Sequence, residues 1–132
     1  MDTEIAFFAA HVETQNQEYT PDFVVVGIYF SENDELERGQ HWHFTRGISS
    51  DEHEQDDGVC TVKEIQEVTL YRGIARFQLE RDKLMCEFSD DAVRETKVKR
   101  LLIQFQLHDV AYAELVEMTK SVFQDDESLV II

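Results

Sequence analysis

The chain has 132 residues, of which 42% are hydrophobic, so it is long and apolar enough to form a single folded domain, 1–132. Its 28 acidic and 12 basic residues give a formal net charge of −16. This charge argues against binding to nucleic acid or to an anionic membrane, both of which need a basic face, and it favours a basic protein partner. The negative charge is concentrated in residues 1–62, which contain 14 acidic residues and only two basic ones, Arg38 and Arg46.

The first third of the chain predicts three strands. Residues 5–12 form the first apolar run, and residues 22–30 form a second run that is apolar on both faces, as in a central strand. An acidic turn over 31–37 then leads to alternating residues 40–45, which we interpret as the third strand.

The third predicted strand contains two histidines. His41 and His43 alternate with Trp42 and Phe44, so the histidines share one face and the aromatic residues share the other. We expect the aromatic face to be buried and the histidine face to be a polar solvent face. The histidines could begin a metal site with His53, but no spacing of His, Cys and Asp in this chain matches a zinc pattern. We therefore predict no metal and no cofactor.

The middle of the chain predicts short strands joined by tight turns. Four strands are predicted, at residues 59–65, 68–71, 74–79 and 84–88. The second and third of these would form a hairpin across Arg72 and Gly73, a two-residue turn in which glycine tolerates a positive φ. The third and fourth would form another hairpin across residues 80–83.

The last part of the chain predicts a strand between two helices. The run Ser89-Asp90-Asp91 is typical of a helix cap before a short helical turn over 92–96. Residues 99–107 alternate between apolar and polar types, as a strand does. Asp109 can cap a long helix over 110–123, whose apolar residues recur at three- and four-residue spacing.

Together these elements predict an α+β fold, a mostly antiparallel β-sheet meander with one C-terminal α-helix packed on it. No alternation of strands with long helices supports a parallel sheet. The apolar end, residues 128–132, fits either an edge strand or a segment that binds a partner. Cys60 and Cys86 lie in predicted strands, and we expect both to be reduced residues of the core.

The stretch SSDEHEQDDG, residues 49–58, has the densest cluster of carboxylates. An EF-hand register would use Gly58 and Glu64, but His53 would then replace the first acidic ligand, and the flanks resemble strands rather than helices. The chain also lacks a nucleophile elbow and a Gly-rich phosphate loop. We therefore predict that the protein is not an enzyme.

Clustered carboxylates can accept charge-assisted hydrogen bonds from Arg and Lys side chains of a basic partner. The alternative is that the acidic segments only keep the protein soluble. The predicted partner-binding residues are Glu32, Asp34, Glu35, Asp51, Glu52, Glu54, Gln55, Asp56 and Asp57.

A series of short motifs follows the acidic stretch. They are Glu54-Gln55-Asp56, Gly58-Val59-Cys60-Thr61, Glu64, Tyr71-Arg72-Gly73-Ile74, the hairpin FQLERDKLMCEF and the helix end VEMTKSVF. The chain resembles the immunity protein 10 family of bacterial polymorphic toxin systems in the order and spacing of these motifs. The resemblance extends from about residue 43 to residue 125. The chain departs from that family at Cys60, Val62 and Arg72, where the family has Asp, an aromatic residue and Gly. The matching positions are Glu54, Gln55, Asp56 and Gly58, with Tyr71 and Gly73 as turn structure.

The resemblance implies a cytoplasmic inhibitor that binds a cognate toxin without turnover and so protects the producing cell. The start MDTEIAFF fits this location because it has neither a basic region nor a long apolar run, so we expect no signal peptide. Homo-oligomerisation stays open. The first alternative is an acidic type III secretion chaperone, which would begin with an amphipathic helix. The second is a metal-dependent enzyme, which would retain metal after purification.

Overall fold

The computed structural model describes residues 3–34, 38–50, 58–63, 68–124 and 126–132, with the backbone alone for Val68. The described elements, in chain order, are β1 (Thr3–Phe8), β2 (His11–Thr20), β3 (Phe23–Ser31), β4 (His41–Ser49), β5 (Cys60–Lys63), β6 (Val68–Tyr71), β7 (Ile74–Leu79), β8 (Lys83–Phe88), α1 (Asp90–Thr96), β9 (Val98–Gln104), α2 (Asp109–Phe123) and β10 (Leu129–Ile131). The described residues thus form mostly antiparallel β-structure with two helices, an α+β protein.

Strands β2 to β6 form one five-stranded sheet in sequence order, here called the antiparallel sheet. Every neighbouring pair in it is antiparallel, which confirms a meander for this part of the chain. The second predicted strand is β3, and it lies inside this sheet between β2 and β4.

The single strand predicted over 5–12 is wrong, because two strands in different sheets occupy this region. β1 ends at Phe8 and β2 begins at His11. Between them the Ala9 amide donates to the Gln104 carbonyl at 2.8 Å, where the chain leaves one sheet for the other. The apolar pattern did not indicate β2 because this edge strand is exposed at nearly every position and therefore has no apolar alternation.

The other five strands form the mixed sheet, in the order β1-β9-β8-β7-β10. Its centre is antiparallel, but β1 is parallel to β9 and β10 is parallel to β7. Both edges of this sheet therefore depart from the predicted antiparallel meander, although most of the described strand pairs are antiparallel. Both edge strands enter it from a distant part of the chain, and long crossovers permit parallel pairing. For the apolar C-terminal end, the edge-strand alternative is the one observed.

The predicted hairpin across Arg72 and Gly73 is also wrong, because β6 lies in the antiparallel sheet and β7 lies in the mixed sheet. The positive φ falls on Arg72, at 56°, rather than on the glycine. Gly73 serves packing instead, since a Cβ there would lie 3.1 Å from the Ala92 Cβ. The hairpin between β7 and β8 is confirmed.

The two sheets share one hydrophobic core. Phe44 of the antiparallel sheet packs edge-on against Phe77 of the mixed sheet, with ring centroids 5.1 Å apart, and Trp42 lies 6.0 Å from Phe88. Phe123 at the end of α2 lies 4.6 Å from Phe77, so the helix closes the same core. The predicted burial of Trp42 and Phe44 is confirmed, since both are at most 1% exposed.

The two helices differ in their caps. Of the three predicted cap residues, Ser89 is the cap of α1, with its hydroxyl accepting from the Ala92 amide, whereas Asp90 and Asp91 lie in the first turn of the helix. The cap of α2 is His108 rather than Asp109, because the His108 ring accepts from the Ala111 amide at 3.3 Å. Asp109 is the first helical residue, where its carboxylate meets the helix dipole and the Arg81 guanidinium at 2.9 Å. α2 packs on the antiparallel sheet, mainly against β3.

Candidate partner-binding surface

The strand register divides the antiparallel sheet into two faces. The inner face includes Phe30, Trp42 and Phe44 and meets the core. The opposite side is called the outer face. Its side chains are His11, Glu13, Gln15, Gln17, Phe23, Val25, Tyr29, Ser31, His41, His43, Thr45, Ser49, Cys60, Val62, Thr69 and Tyr71.

Both cations in strands β2 to β6 lie on the inner side. Lys63 is 5% exposed, with its ammonium 5.8 Å from the centroid of the Trp42 ring, and burial lowers the pKa of Lys63. The Arg46 guanidinium donates to the last carbonyls of α2, to Phe123 at 3.1 Å and to Val122 at 3.4 Å. It therefore stabilises the C-terminal end of the helix dipole. As a result, the outer face has no Lys or Arg among these five strands.

The described carboxylates around the outer face are largely exposed. Glu13 projects from the face itself, and Glu18 and Asp22 lie near its edge. The Asp34 side chain is 84% exposed and its carboxylate lies against the His11 ring. Glu32 is half-buried, and its carboxylate accepts from the Gln40 amide at 3.3 Å across the loop between β3 and β4. The negative charge of this region is therefore accessible to a partner.

The predicted contact residues are only partly described. Glu32 and Asp34 belong to the loop after β3, as expected. Glu35, Asp51, Glu52, Glu54, Gln55, Asp56 and Asp57 lie outside the described residues. The first acidic segment precedes β4 and the second follows it, so the two join this strand at opposite ends. Nine residues of strand separate those ends by about 26 Å.

The prediction of a polar solvent face at the histidines is wrong for His41, which is 1% exposed. Its Nε2 donates to the Arg38 carbonyl at 2.7 Å, and its Nδ1 lies 2.9 Å from the Ser31 hydroxyl and 3.0 Å from the Tyr29 hydroxyl. The loop after β3 covers this ring, which a strand pattern cannot show. His43 is half-buried, and its ring meets Tyr29 edge-on at 4.1 Å.

No group of three or more His, Cys, Asp or Glu residues in the described ranges has the arrangement to hold a metal ion. His53, the third ligand considered for such a site, lies outside these ranges.

Aromatic side chains on this side of the sheet were not predicted as contact residues. Tyr19 is 57% exposed beside Phe23, at 6.3 Å, and Tyr71 is 59% exposed at the end of β6. Gly47 leaves room for the Phe23 ring, since a Cβ at Gly47 would lie 2.8 Å from that ring. Exposed tyrosines are frequent in protein interfaces, because one ring offers both apolar area and a hydroxyl. The sequence did contain one signal for β2, which is the turn at Pro21 between two β-prone runs. A strand placed before this turn would have included Tyr19.

Cys60 lies half-buried on the outer face, and Cys86 is buried in the core. Both are free thiols, but the expected core position is confirmed only for Cys86, because the register turns Cys60 to the outer face. Burial raises the pKa of Cys60, although hydrogen bonds with Tyr71 and Thr45 partly offset this rise. Burial also raises the pKa of Cys86, well above its ordinary value, and the charge of Glu87 adds to the effect.

Comparisons of the chain with protein-family models, with curated proteins and with solved structures found no match. The resemblance to the immunity protein 10 family therefore stays a prediction. Within the described part of the chain, no helix is both long and apolar enough to cross a membrane.

Proposed function

We propose that this chain is a cytoplasmic immunity protein, which binds a basic cognate toxin through the outer face of the antiparallel sheet and its acidic loops and neutralises it without catalysis. One observation supports this above the others. The cations of this sheet, Arg46 and Lys63, point inward, while carboxylates such as Glu13 and Asp34 point outward. A surface with this charge distribution attracts basic proteins over long range and accelerates their association.

The outer face also has the chemistry that a stable interface needs beyond charge. Tyr29 and His43 pack against each other near its centre, and Tyr71 and Tyr19 are exposed toward its margins. Aromatic residues at the centre and charges at the rim are the usual arrangement in a protein interface. Arg and Lys side chains of a toxin can stack on such rings and pair with the surrounding carboxylates.

The first alternative, a type III secretion chaperone, would begin with an amphipathic helix. β1 occupies Thr3–Phe8 instead, and its backbone pairs with β9 along its length. This strand favours the immunity protein over the chaperone. The second alternative, a metal-dependent enzyme, is tested by metal analysis of the purified protein, where a stoichiometric metal would support it.

The direct test uses the toxin encoded beside this protein in its genome. We expect equimolar protein to inhibit that toxin in vitro, and co-expression to rescue cells from it. Failure of both would reject the proposal. Association should also slow as the salt concentration rises from 50 to 500 mM, by about tenfold or more, because screening removes electrostatic steering.

A matched pair of charge reversals locates the contact. Glu13→Lys with Glu18→Lys changes the edge of the outer face, and Glu95→Lys with Glu127→Lys makes the same change in net charge elsewhere. We expect the first pair to weaken toxin binding by about tenfold or more and the second pair by much less. Equal losses would show that only the total charge matters.

The contributions of the two acidic segments to binding can be tested separately, because the segments join opposite ends of β4. Glu54→Gln with Asp56→Asn tests the segment after β4, and Asp34→Asn with Glu35→Gln tests the segment before it. We expect the first pair to lose toxin affinity while the thermal melt is unchanged. If Glu54 and Asp56 instead prove essential for folding, that segment is structural and the contact lies elsewhere.

A further inference from the structure

β2 is a ten-residue strand at the edge of the antiparallel sheet, and in the described part of the chain it pairs only with β3. In an antiparallel pair, alternate residues direct their N–H and C=O groups away from the partner strand. About half of the β2 backbone groups are therefore available for another strand. The register with β3 is continuous from His11 to Glu18 and shifts only between Glu18 and Thr20.

Edge strands of soluble proteins usually have features that prevent further pairing, such as lysine, proline, a bulge or a short length. Residues 11–18 contain neither lysine nor proline, and the register shows no bulge among them. β2 is also long, since strands average five to six residues. The edge is therefore open to an additional strand.

A groove of about 320 Å³ runs beside this edge, between β2 and α2. Its apolar lining residues are Leu115, which is buried, and Val12, Leu107 and Ala111, which are half-buried. Thr14 completes the β2 side. An added strand would direct every second side chain into this groove and the others over the outer face, next to Gln15 and Gln17.

The charges around the edge determine which strand fits. Glu13 and Glu114 line the groove, and Glu18 lies further along β2. No lysine or arginine precedes Arg38 in the chain. The one cation of α2, Lys120, already pairs with Glu117 at 3.5 Å. The edge therefore attracts a strand with basic side chains and repels a strand with acidic ones.

We propose that the β2 edge is a docking edge for an extended basic segment of a protein partner, which adds to the antiparallel sheet as a sixth strand. The backbone hydrogen bonds supply affinity, and the carboxylates with the apolar residues of the groove supply specificity. That this partner is a toxin rests on the proposed function. A second copy of this chain is a poorer occupant, because it would bring its own Glu13, Glu18 and Glu114 to the same edge.

Three synthetic ten-residue peptides test the chemistry of the edge without the natural partner. The first alternates Lys and Val, the second alternates Glu and Val, and the third is the Lys–Val peptide with a methyl group on every backbone nitrogen. This N-methyl peptide has the charge of the first but lacks its backbone N–H donors. The measurement is the hydrogen-exchange rate of the β2 amides, followed by NMR on the full chain at low salt.

We expect the Lys–Val peptide to slow exchange at alternate residues of β2 by about tenfold or more, since pairing protects only the outward amides. The other two peptides should leave these rates unchanged. Equal protection by the N-methyl peptide would mean that charge alone binds the peptide. No protection by Lys–Val at saturating concentration would overturn the proposal.

Two proline variants test the edge in the whole protein. Gln15 and Asn16 are neighbours, so only one of them directs its N–H outward. Proline at the residue with the outward N–H removes an outward donor and spares the pairing with β3. Proline at the other residue breaks a hydrogen bond to β3 and lowers the melting temperature. The variant with the unchanged melt should bind the Lys–Val peptide at least about tenfold more weakly than the wild type. Unchanged binding would overturn the proposal, and if both variants unfold, the three peptides decide it.

The outcomes separate this inference from the proposed function. If Lys–Val protects β2 but the neighbouring toxin is not inhibited, the edge inference stands and the immunity function fails. If the toxin is inhibited as strongly by the folded proline variant as by the wild type, the function stands and the edge inference fails. A wild-type dimer in sedimentation that the same variant dissociates would assign the edge to a second copy and overturn the proposal.

Discussion

The two sheets share one core but present different surfaces to solvent. In the mixed sheet, the exposed cation Arg100 lies next to two carboxylates, 3.3 Å from Glu87 and 3.8 Å from Glu4. Next to them is an apolar depression of about 580 Å³ lined by Phe8, Met85 and Leu102, among others. In the antiparallel sheet, the cations point into the molecule and the carboxylates remain outside. The direction of a few cations, more than the net charge of −16, therefore determines which face is acidic.

The largest expected effect comes from breaking the core that joins the sheets. Phe77 is fully buried and contacts both Phe44 and Phe123. We expect Phe77→Ala to lower the free energy of unfolding by about 3–5 kcal/mol, measured by chemical denaturation. Phe8→Ala is the control, because Phe8 is 51% exposed on the mixed sheet, and it should cost about 1 kcal/mol or less. Similar losses for the two variants would contradict a shared core at Phe77.

The next effect concerns an inward cation of the antiparallel sheet. Arg46→Gln removes donors from the last carbonyls of α2, and we expect a loss of about 1–3 kcal/mol in the free energy of unfolding. Arg94→Gln removes an exposed pair with Asp91 and should cost about 0.5 kcal/mol or less. Denaturation of both variants measures the difference. An Arg46 variant as stable as the Arg94 variant would show that the inward position contributes nothing to the fold.

A smaller effect is expected in the pH dependence of stability. Burial lowers the pKa of Lys63, so the unfolded chain holds this proton more tightly than the folded chain. The penalty for the buried charge is present below the folded-state pKa and disappears as pH rises toward the ordinary value of 10.5. The wild type should therefore gain stability relative to Lys63→Met as pH rises toward 10.5. Lys83→Met, at an exposed position, should show no such trend in the same denaturation series.

The smallest effect involves no change in stability. It is the difference in labelling rate between the two cysteines, which reports how accessible each position is. Cys60 lies half-buried on the outer face, whereas Cys86 has no exposed surface. We expect iodoacetamide to label Cys60 at least about tenfold faster than Cys86 in the folded protein, since access limits the reaction. Mass spectrometry of Cys60→Ser and Cys86→Ala gives the two rates separately. Equal labelling rates for the two cysteines in the absence of denaturant would contradict the burial of Cys86.

The predicted elements succeeded where burial imposed a period on the sequence. The Ser89 cap, the alternating strand that includes Leu101 and Ile103, and the long apolar-striped helix all appear in the structure. Prediction failed where a strand faces solvent on both sides, as β2 does, and where two adjacent strands belong to different sheets, as β6 and β7 do. Pairing partners depend on long-range contacts, and no local pattern contains them.

The residues of the candidate site were likewise predicted from the sequence only in part. Local sequence identified the acidic segments, including Glu32 and Asp34, because clustered carboxylates are visible in composition. It did not indicate that Tyr71 lies on the same face as Tyr29, since these residues come together only through the register of four strands. It also placed His41 in solvent, whereas the loop before this residue covers the ring, and the Arg38 carbonyl accepts its hydrogen bond.

By itself, the sequence determined the amount of negative charge, its concentration in residues 1–62, and the α+β class, because these follow from composition and from apolar periodicity. The tertiary structure decided where that charge acts. It turned Arg46 and Lys63 toward the core, left Glu13 and Asp34 outside, and gave β2 an unpaired edge. The physical reason is that the side of a sheet on which a residue lies, and the strand beside it, depend on register and topology, which join residues far apart in the chain.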